Sequence, residues 1–180
     1  MTYLLIALVV IAFLFIFIFN QIIREENTAK NALSSVDVYL KKRCDLIPNL
    51  VEVVKGSAAH EQTVFENIAA ARTNAMNAKK DKEMVAADNQ VNGALKDIFM
   101  LAEAYPNLQA NSAFVQLQQS LNKIEDELAA ARRTYNAAAT EFNVTLEAFP
   151  TNLVAKLFRK KQKELFNATD DSRNSMNVKF

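Results

Sequence analysis

From Tyr3 to Phe19 the chain reads YLLIALVVIAFLFIFIF, seventeen residues with no charge, amide, glycine or proline. A stretch of that kind decides which solvent the protein folds in. With Ile22 and Ile23 beyond Asn20 and Gln21 it makes a helix of roughly 21 residues. At about 1.5 Å per residue that helix spans about 30 Å, the thickness of a bilayer's hydrocarbon core. Fourteen side chains in the run are Leu, Ile, Val or Phe. At about 0.3–0.6 kcal/mol each near the helix centre, insertion gains on the order of 4–8 kcal/mol. A cleaved signal peptide would need a basic leader, a shorter apolar core and a small-x-small cleavage site. Met1-Thr2 bring no side-chain charge, and Asn20-Gln21-Ile22-Ile23 is a poor cleavage site. Residues 1–23 therefore read as a retained transmembrane helix.

Basic residues set its orientation. Arg24, Lys30, Lys41, Lys42 and Arg43 follow the anchor, and only the terminal amine precedes it. The positive-inside rule counts these and largely ignores Glu25 and Glu26. The expectation is an N-terminus outside and the bulk of the chain in the cytoplasm. A single cysteine, Cys44, forbids an intrachain disulfide and agrees with that placement.

Beyond the anchor the reading is all-α. Two Gly and three Pro punctuate a chain rich in Ala, Leu, Lys, Glu and Gln, without the alternating β-branched runs that strands require. Apolar spacing predicts an elongated antiparallel bundle of three long helices over residues 24–150. The first, about Ala29 to Lys79, carries Ala29, Leu33, Val36, Leu40, Cys44, Ile47, Val51, Val54 and Ala58, then Phe65 and Ile68 past a polar Glu61. One extra step of four near Leu40–Cys44 is a stutter, and Pro48 predicts a kink at Cys44–Ile47. The second helix, about Asp81 to Ala104, is stopped by Tyr105-Pro106-Asn107. The third, about Ser112 to Ala148, keeps a heptad from Phe114 to Phe142, with Asn111 or Ser112 as its N-cap and Phe149-Pro150 as its end. Pro48, Pro106 and Pro150 are the expected helix breaks.

These helices would be roughly 75, 36 and 55 Å long, so the second cannot cover all of the first. The membrane-proximal seam of Leu33, Val36, Leu40, Ile47 and Val51 is thereby predicted to pair with neighbouring chains in a homo-oligomer. The alternative is that a kink at Pro48 folds it back onto the third helix. Residues 151–166 set Leu153, Val154, Leu157, Phe158, Leu165 and Phe166 beside Lys156, Arg159, Lys160, Lys161 and Lys163. This reads as a basic amphipathic helix that either meets an anionic membrane surface or caps the bundle. Residues 167–180 read as a disordered tail. The chain is near neutral overall, at +1, without aromatic interleaving among its basic residues, so nucleic acid is not an expected partner.

Catalytic chemistry finds little footing. His60 is the only histidine and has Ser57, not Glu, three residues before it, so the Glu-x-x-His pairs of a di-iron bundle are missing. On one helix Cys44 and His60 would stand about 24 Å apart, too far for a nucleophile–base pair. No cofactor or metal is expected. Asp45 and Asn49 near Pro48, Glu103 and Asn107 near Pro106, and Arg132, Arg133 and Asn136 read as a structural polar network satisfying backbone groups that the prolines free, the alternative being a ligand or partner site.

Several runs resemble the LemA family. They are Arg43-Cys44-Asp45-Leu46-Ile47-Pro48-Asn49-Leu50-Val51-Glu52, Val54-Lys55-Gly56, His60-Glu61, Ala71-Arg72, Ala102 to Asn111 (AEAYPNLQAN), Phe114 to Gln118, Ala131 to Asn136 (ARRTYN) and Phe149-Pro150. Cys44 departs from the usual aromatic, and Phe158-Arg159-Lys160 stands where the family has a Phe-Gly-Phe-like ending. The resemblance implies a bacterial single-pass inner-membrane protein with an elongated helical cytoplasmic domain and no established enzymatic activity. It also brings in a magnetosome-membrane member implicated in membrane formation, and members encoded beside membrane metalloproteases. Two roles follow: a self-associating scaffold that organises or remodels the membrane, or an adaptor tethering another membrane protein such as a metalloprotease.

Overall fold

The computed structural model describes residues 1–166, and the proposed tail at 167–180 lies outside the described residues. Among those described the fold is all-α, as expected. Its spine is α1, Thr2–Lys55, a single helix of 54 residues in which the apolar run and the first bundle helix are continuous. At about 1.5 Å per residue it is roughly 80 Å long. The chain then reverses through residues 56–61 into α2, Gln62–Asn77. It turns again into α3, Asp81–Glu103, whose Glu83 carboxylate accepts from the backbone N–H groups of Lys79 (3.1 Å) and Lys80 (3.2 Å) before the first turn. A single turn, α4 (Pro106–Gln109), leads into α5, Ser112–Glu147. The Asn111 side chain caps α5 as the sequence led us to expect, accepting from the amides of Ala113 at 2.9 Å and Phe114 at 3.4 Å. After Pro150 comes a short α6, Thr151–Leu157, and residues 158–166 form a non-helical strap.

Three expectations are corrected here. The first is that one helix spans 29–79. Gly56 and Ser57, poor helix formers, begin a reversal that sends α2 back along α1. The second concerns Pro48, which is no break: α1 runs through it, with the proline on an exposed face. Pro106 does start a new helix and Pro150 does separate α5 from α6. The third is the unpartnered seam. α5 is 36 residues long and runs beside α1 down to the anchor, so Val36, Leu40 and Ile47 are buried inside the chain, with Leu33 and Val51 half-buried against the same cores. The alternative partner, the third long helix, is the one found, and no break at Pro48 is involved.

The core lies in three levels along α1. Far from the anchor, Cys44, Ile47, Leu50 and Val54 meet Phe65 and Ile68 of α2, Val91, Leu95 and Ile98 of α3, Leu108, and Phe114 and Leu121 of α5. In the middle, Val36 and Leu40 pack with Met84, Leu128, Tyr135, Ala139 and Phe166. At the foot, Ile22 packs with Phe142, Val154 and Ala155, flanked by Ile18, Phe19 and Leu146. The bundle thus thins from four helices to two as it nears the anchor. The strap and α6 cover what α2 and α3 leave open.

Candidate functional site

Four charged side chains meet between the far and middle levels. Asp88 Oδ1 of α3 lies 2.6 Å from Arg132 Nη2 of α5 and 3.6 Å from Arg43 Nη1 of α1. Glu125 of α5 completes the group, its Oε1 at 2.8 Å from Arg132 and its Oε2 at 3.1 Å from Arg43. Arg43, Asp88 and Arg132 are buried, while Glu125 reaches the surface. Two guanidiniums facing two carboxylates leave no net charge, which makes such burial tolerable. Burial pushes the Asp88 carboxyl up and the Arg43 guanidinium down, and in each case the opposite charges nearby act against that shift. The network fixes the relative register of α1, α3 and α5.

Of the polar residues singled out in the sequence, the network contains only Arg132. Asp45, Asn49, Glu103, Asn107 and Arg133 are exposed. The carbonyl freed by Pro48 is satisfied by a different side chain. Pro48 has no N–H, so the carbonyl of Cys44, four residues earlier, loses its helical donor. Arg72 of α2 takes that place, its Nε donating to the Cys44 carbonyl oxygen at 3.0 Å. The sequence shows that the prolines free backbone groups, but not that Arg72 is the side chain that serves Cys44.

Asn136 has another task. Its amide donates to the Phe166 carbonyl (2.8 Å) and accepts from the Phe166 N–H (2.9 Å). Asn143 does the same to Lys163, at 2.9 and 2.7 Å. The spacings match: seven residues of helix rise about 10.5 Å, and three residues of extended chain advance about 10 Å. Between them the Tyr135 hydroxyl donates to the Glu164 carbonyl at 2.8 Å. Burial pushes the Tyr135 pKa up, so it stays a donor.

The five basic residues assigned to a membrane surface divide. Lys156, Arg159 and Lys161 are exposed. Lys160 pairs with Glu26 of α1, and Lys163 lies 4.0 Å from Asp81. The expected helix over 151–166 ends at Leu157 because Arg159, at φ 50°, turns the chain into the strap. That left-handed conformation is one glycine adopts freely and arginine does not. Among the described residues no cluster of three His, Cys, Asp or Glu side chains could hold a metal ion. Cys44 is buried, and burial pushes its thiol up, away from a reactive thiolate.

The LemA family model matches residues 32–180, most of the chain beyond the anchor. The chain belongs to the LemA family. It is 28% identical over 158 residues to the protein LemA of Metamycoplasma hominis, covering 86% of this chain and 71% of that one. It is 27% identical over 168 residues to magnetosome protein MamQ 2 of Paramagnetospirillum magneticum, covering 79% of this chain and 61% of the relative. With magnetosome protein MamQ of Magnetospirillum gryphiswaldense the identity is 23% over 175 residues, 83% of this chain and 64% of that one. The chain therefore spans under two thirds of the length of these magnetosome relatives. This LemA-family chain is a membrane-associated helical protein, with an N-terminal helix long and apolar enough to cross a bilayer.

Proposed function

We propose that this chain is a non-enzymatic scaffold in the bacterial cytoplasmic membrane, N-terminus outside, that self-associates on the cytoplasmic side and organises or remodels the bilayer. The observation that supports it most is the continuity of α1: the apolar run passes into the bundle without a linker. A protein built to present a catalytic head has no need of that rigid coupling. A buried, protonated thiol and a bundle core filled by its own side chains agree with a mechanical role. Relatives named as magnetosome proteins accord with it too.

Self-association in this reading runs through the lipid-facing helix, since the α1 seam is occupied by α5. Phe13 and Phe17 are 71% and 63% exposed on the apolar run of α1. Mass photometry of full-length protein extracted with native lipid tests the reading. Discrete multiples of one chain that dissociate in the Phe13→Ala/Phe17→Ala variant support it, and a uniform single-chain population overturns it. The adaptor reading draws on one feature, a groove between α3 and α5 lined by Gly93, Phe99, Met100 and Asn122. A stoichiometric complex with another membrane protein, without self-assembly, would favour it.

A further inference from the structure

The part of the apolar helix that the bundle leaves uncovered is shorter than a bilayer core is thick. Every large apolar side chain of α1 from Tyr3 to Phe17 is exposed, and from Ile18 onward the bundle begins to cover it. Tyr3–Phe17 rises roughly 22 Å, against a hydrocarbon core of about 30 Å. The remaining 8 Å or so corresponds to about five more residues, which brings the lipid boundary to the level of Ile22. Ile22 is where α6 packs, against its Val154 and Ala155.

The outward face of that corner is apolar. Phe149 is 81% exposed, Leu153 60%, Leu157 68% and Phe158 45%. The Phe158 ring lies 4.5 Å from that of Phe19 and 6.2 Å from that of Phe15, so it sits at the depth of the membrane run itself. A patch of four large apolar side chains does not stay in water without a reason. Beside it stand the exposed Lys156, Arg159 and Lys161, with Lys160 already held by Glu26 and the nearby Glu147 accepting from Gln162.

We propose that α6 with Phe149 and Phe158 is a second membrane contact, immersed in the interface of the leaflet on the bundle side, with Lys156, Arg159 and Lys161 meeting anionic lipid headgroups. The contact goes beyond the scaffold reading and rests only on the anchor being in a bilayer. Its depth comes from two independent observations, the short uncovered stretch of α1 and the tilted ring contacts of Phe158 with Phe15 and Phe19. An amphipathic edge at that depth, apolar inward and basic at the rim, is what an interfacial segment requires.

The chain has no tryptophan, so a single introduced indole reports one place. Full-length Leu153→Trp, Leu157→Trp and Met100→Trp variants are reconstituted in vesicles of equimolar phosphatidylcholine and phosphatidylglycerol. The phosphatidylcholine carries bromine either high or low on its acyl chains. Met100 is exposed at the far end of the bundle and serves as the water control. The expected result is severalfold stronger quenching of the indoles at 153 and 157 by the high bromines than by the low ones, with none at 100. Indoles at 153 and 157 that behave like the one at 100 overturn the proposal. So do indoles that are shielded yet unquenched, because protein from a second copy then covers the face. A Lys156→Glu/Arg159→Glu/Lys161→Glu variant, with helix content checked by circular dichroism, is expected to lose part of the quenching. Unchanged quenching removes the headgroup contact from the proposal.

Discussion

The bond from Arg72 to the Cys44 carbonyl permits a test that separates cause from coincidence. Pro48 creates the need, and Arg72 meets it from another helix at 3.0 Å. A hydrogen bond from a charged donor contributes about 1.5–3 kcal/mol. For a chain of this size each kcal/mol moves Tm by about 2–4 °C, so Arg72→Met is expected to lower Tm by roughly 3–12 °C. The Pro48→Ala background restores the missing amide, which can then donate to the same carbonyl within α1. Pro48 is exposed, so the alanine is tolerated there. In that background the cost of Arg72→Met should fall by about 1 kcal/mol or more, the coupling expected for residues serving one acceptor. Thermal unfolding of the four full-length proteins in detergent, followed by circular dichroism, gives the cycle. Equal losses in both backgrounds, within about 0.5 kcal/mol, would refute the idea that Arg72 substitutes for the proline's missing N–H.

Other consequences follow from the same contacts. Asp88→Asn leaves Arg43 and Arg132 with Glu125 alone and should cost about 3 kcal/mol, the low end for breaking a buried pair. Asp45→Asn, at an exposed site, should stay within about 0.5 kcal/mol, and similar Tm changes for the two would count against the network. Asn143→Ala strips two hydrogen bonds from the strap, and amide exchange at Lys163 and Glu164 should accelerate by about tenfold or more. Unaltered protection would mean the asparagines do not hold it. At Glu26 burial raises the pKa, but hydrogen bonds from Lys160 and Lys30 outweigh it and hold the carboxyl below its usual 4.5. The stability from these pairs is therefore complete above that value and is lost as pH falls through the depressed one. A Glu26→Gln variant should show a flatter acid limb in Tm against pH, and an identical limb would exclude Glu26 as its source. Arg159→Gly removes the side chain from a left-handed position and should stabilise the chain by about 1 kcal/mol, read as a higher Tm.

Legibility in the sequence followed how local each cause was. The anchor, the all-α class, the cap at Asn111 and the extent of α5 rest on neighbours within a turn or two, and periodicity carries them. The end of α1 was hidden because a reversal need not interrupt the apolar period: Ala58 and Phe65 are seven residues apart and both buried, although a turn lies between them. A polar Glu61 at the intervening seam position, close after Gly56, was the available signal. Asp88 and Glu125 were missed because an isolated acid on a helix reads as solvent-facing. Only the packing of α3 and α5 on α1 places them opposite Arg43 and Arg132. The membrane-side seam was misread for a reason of length. Comparing helices one and two left out that helix three, turned antiparallel, reaches the anchor by itself. Asn136 was read as part of a proline-linked network, whereas its heptad relation to Asn143 is a ruler for an extended segment.

The uninterrupted α1 also makes the molecule a lever. A flexible linker would let the span tilt while the bundle stayed put; a helix with no joint cannot. From Phe19 to Lys55 the arm is roughly 54 Å long, so a tilt of about 10° in the span, well within the range bilayers impose, sweeps its far end by roughly 9 Å. Spans tilt more in thinner bilayers. In the membrane placement proposed above, local thickness would set the position of the α1–α2 turn to the extent that the α6 contact lets the span tilt.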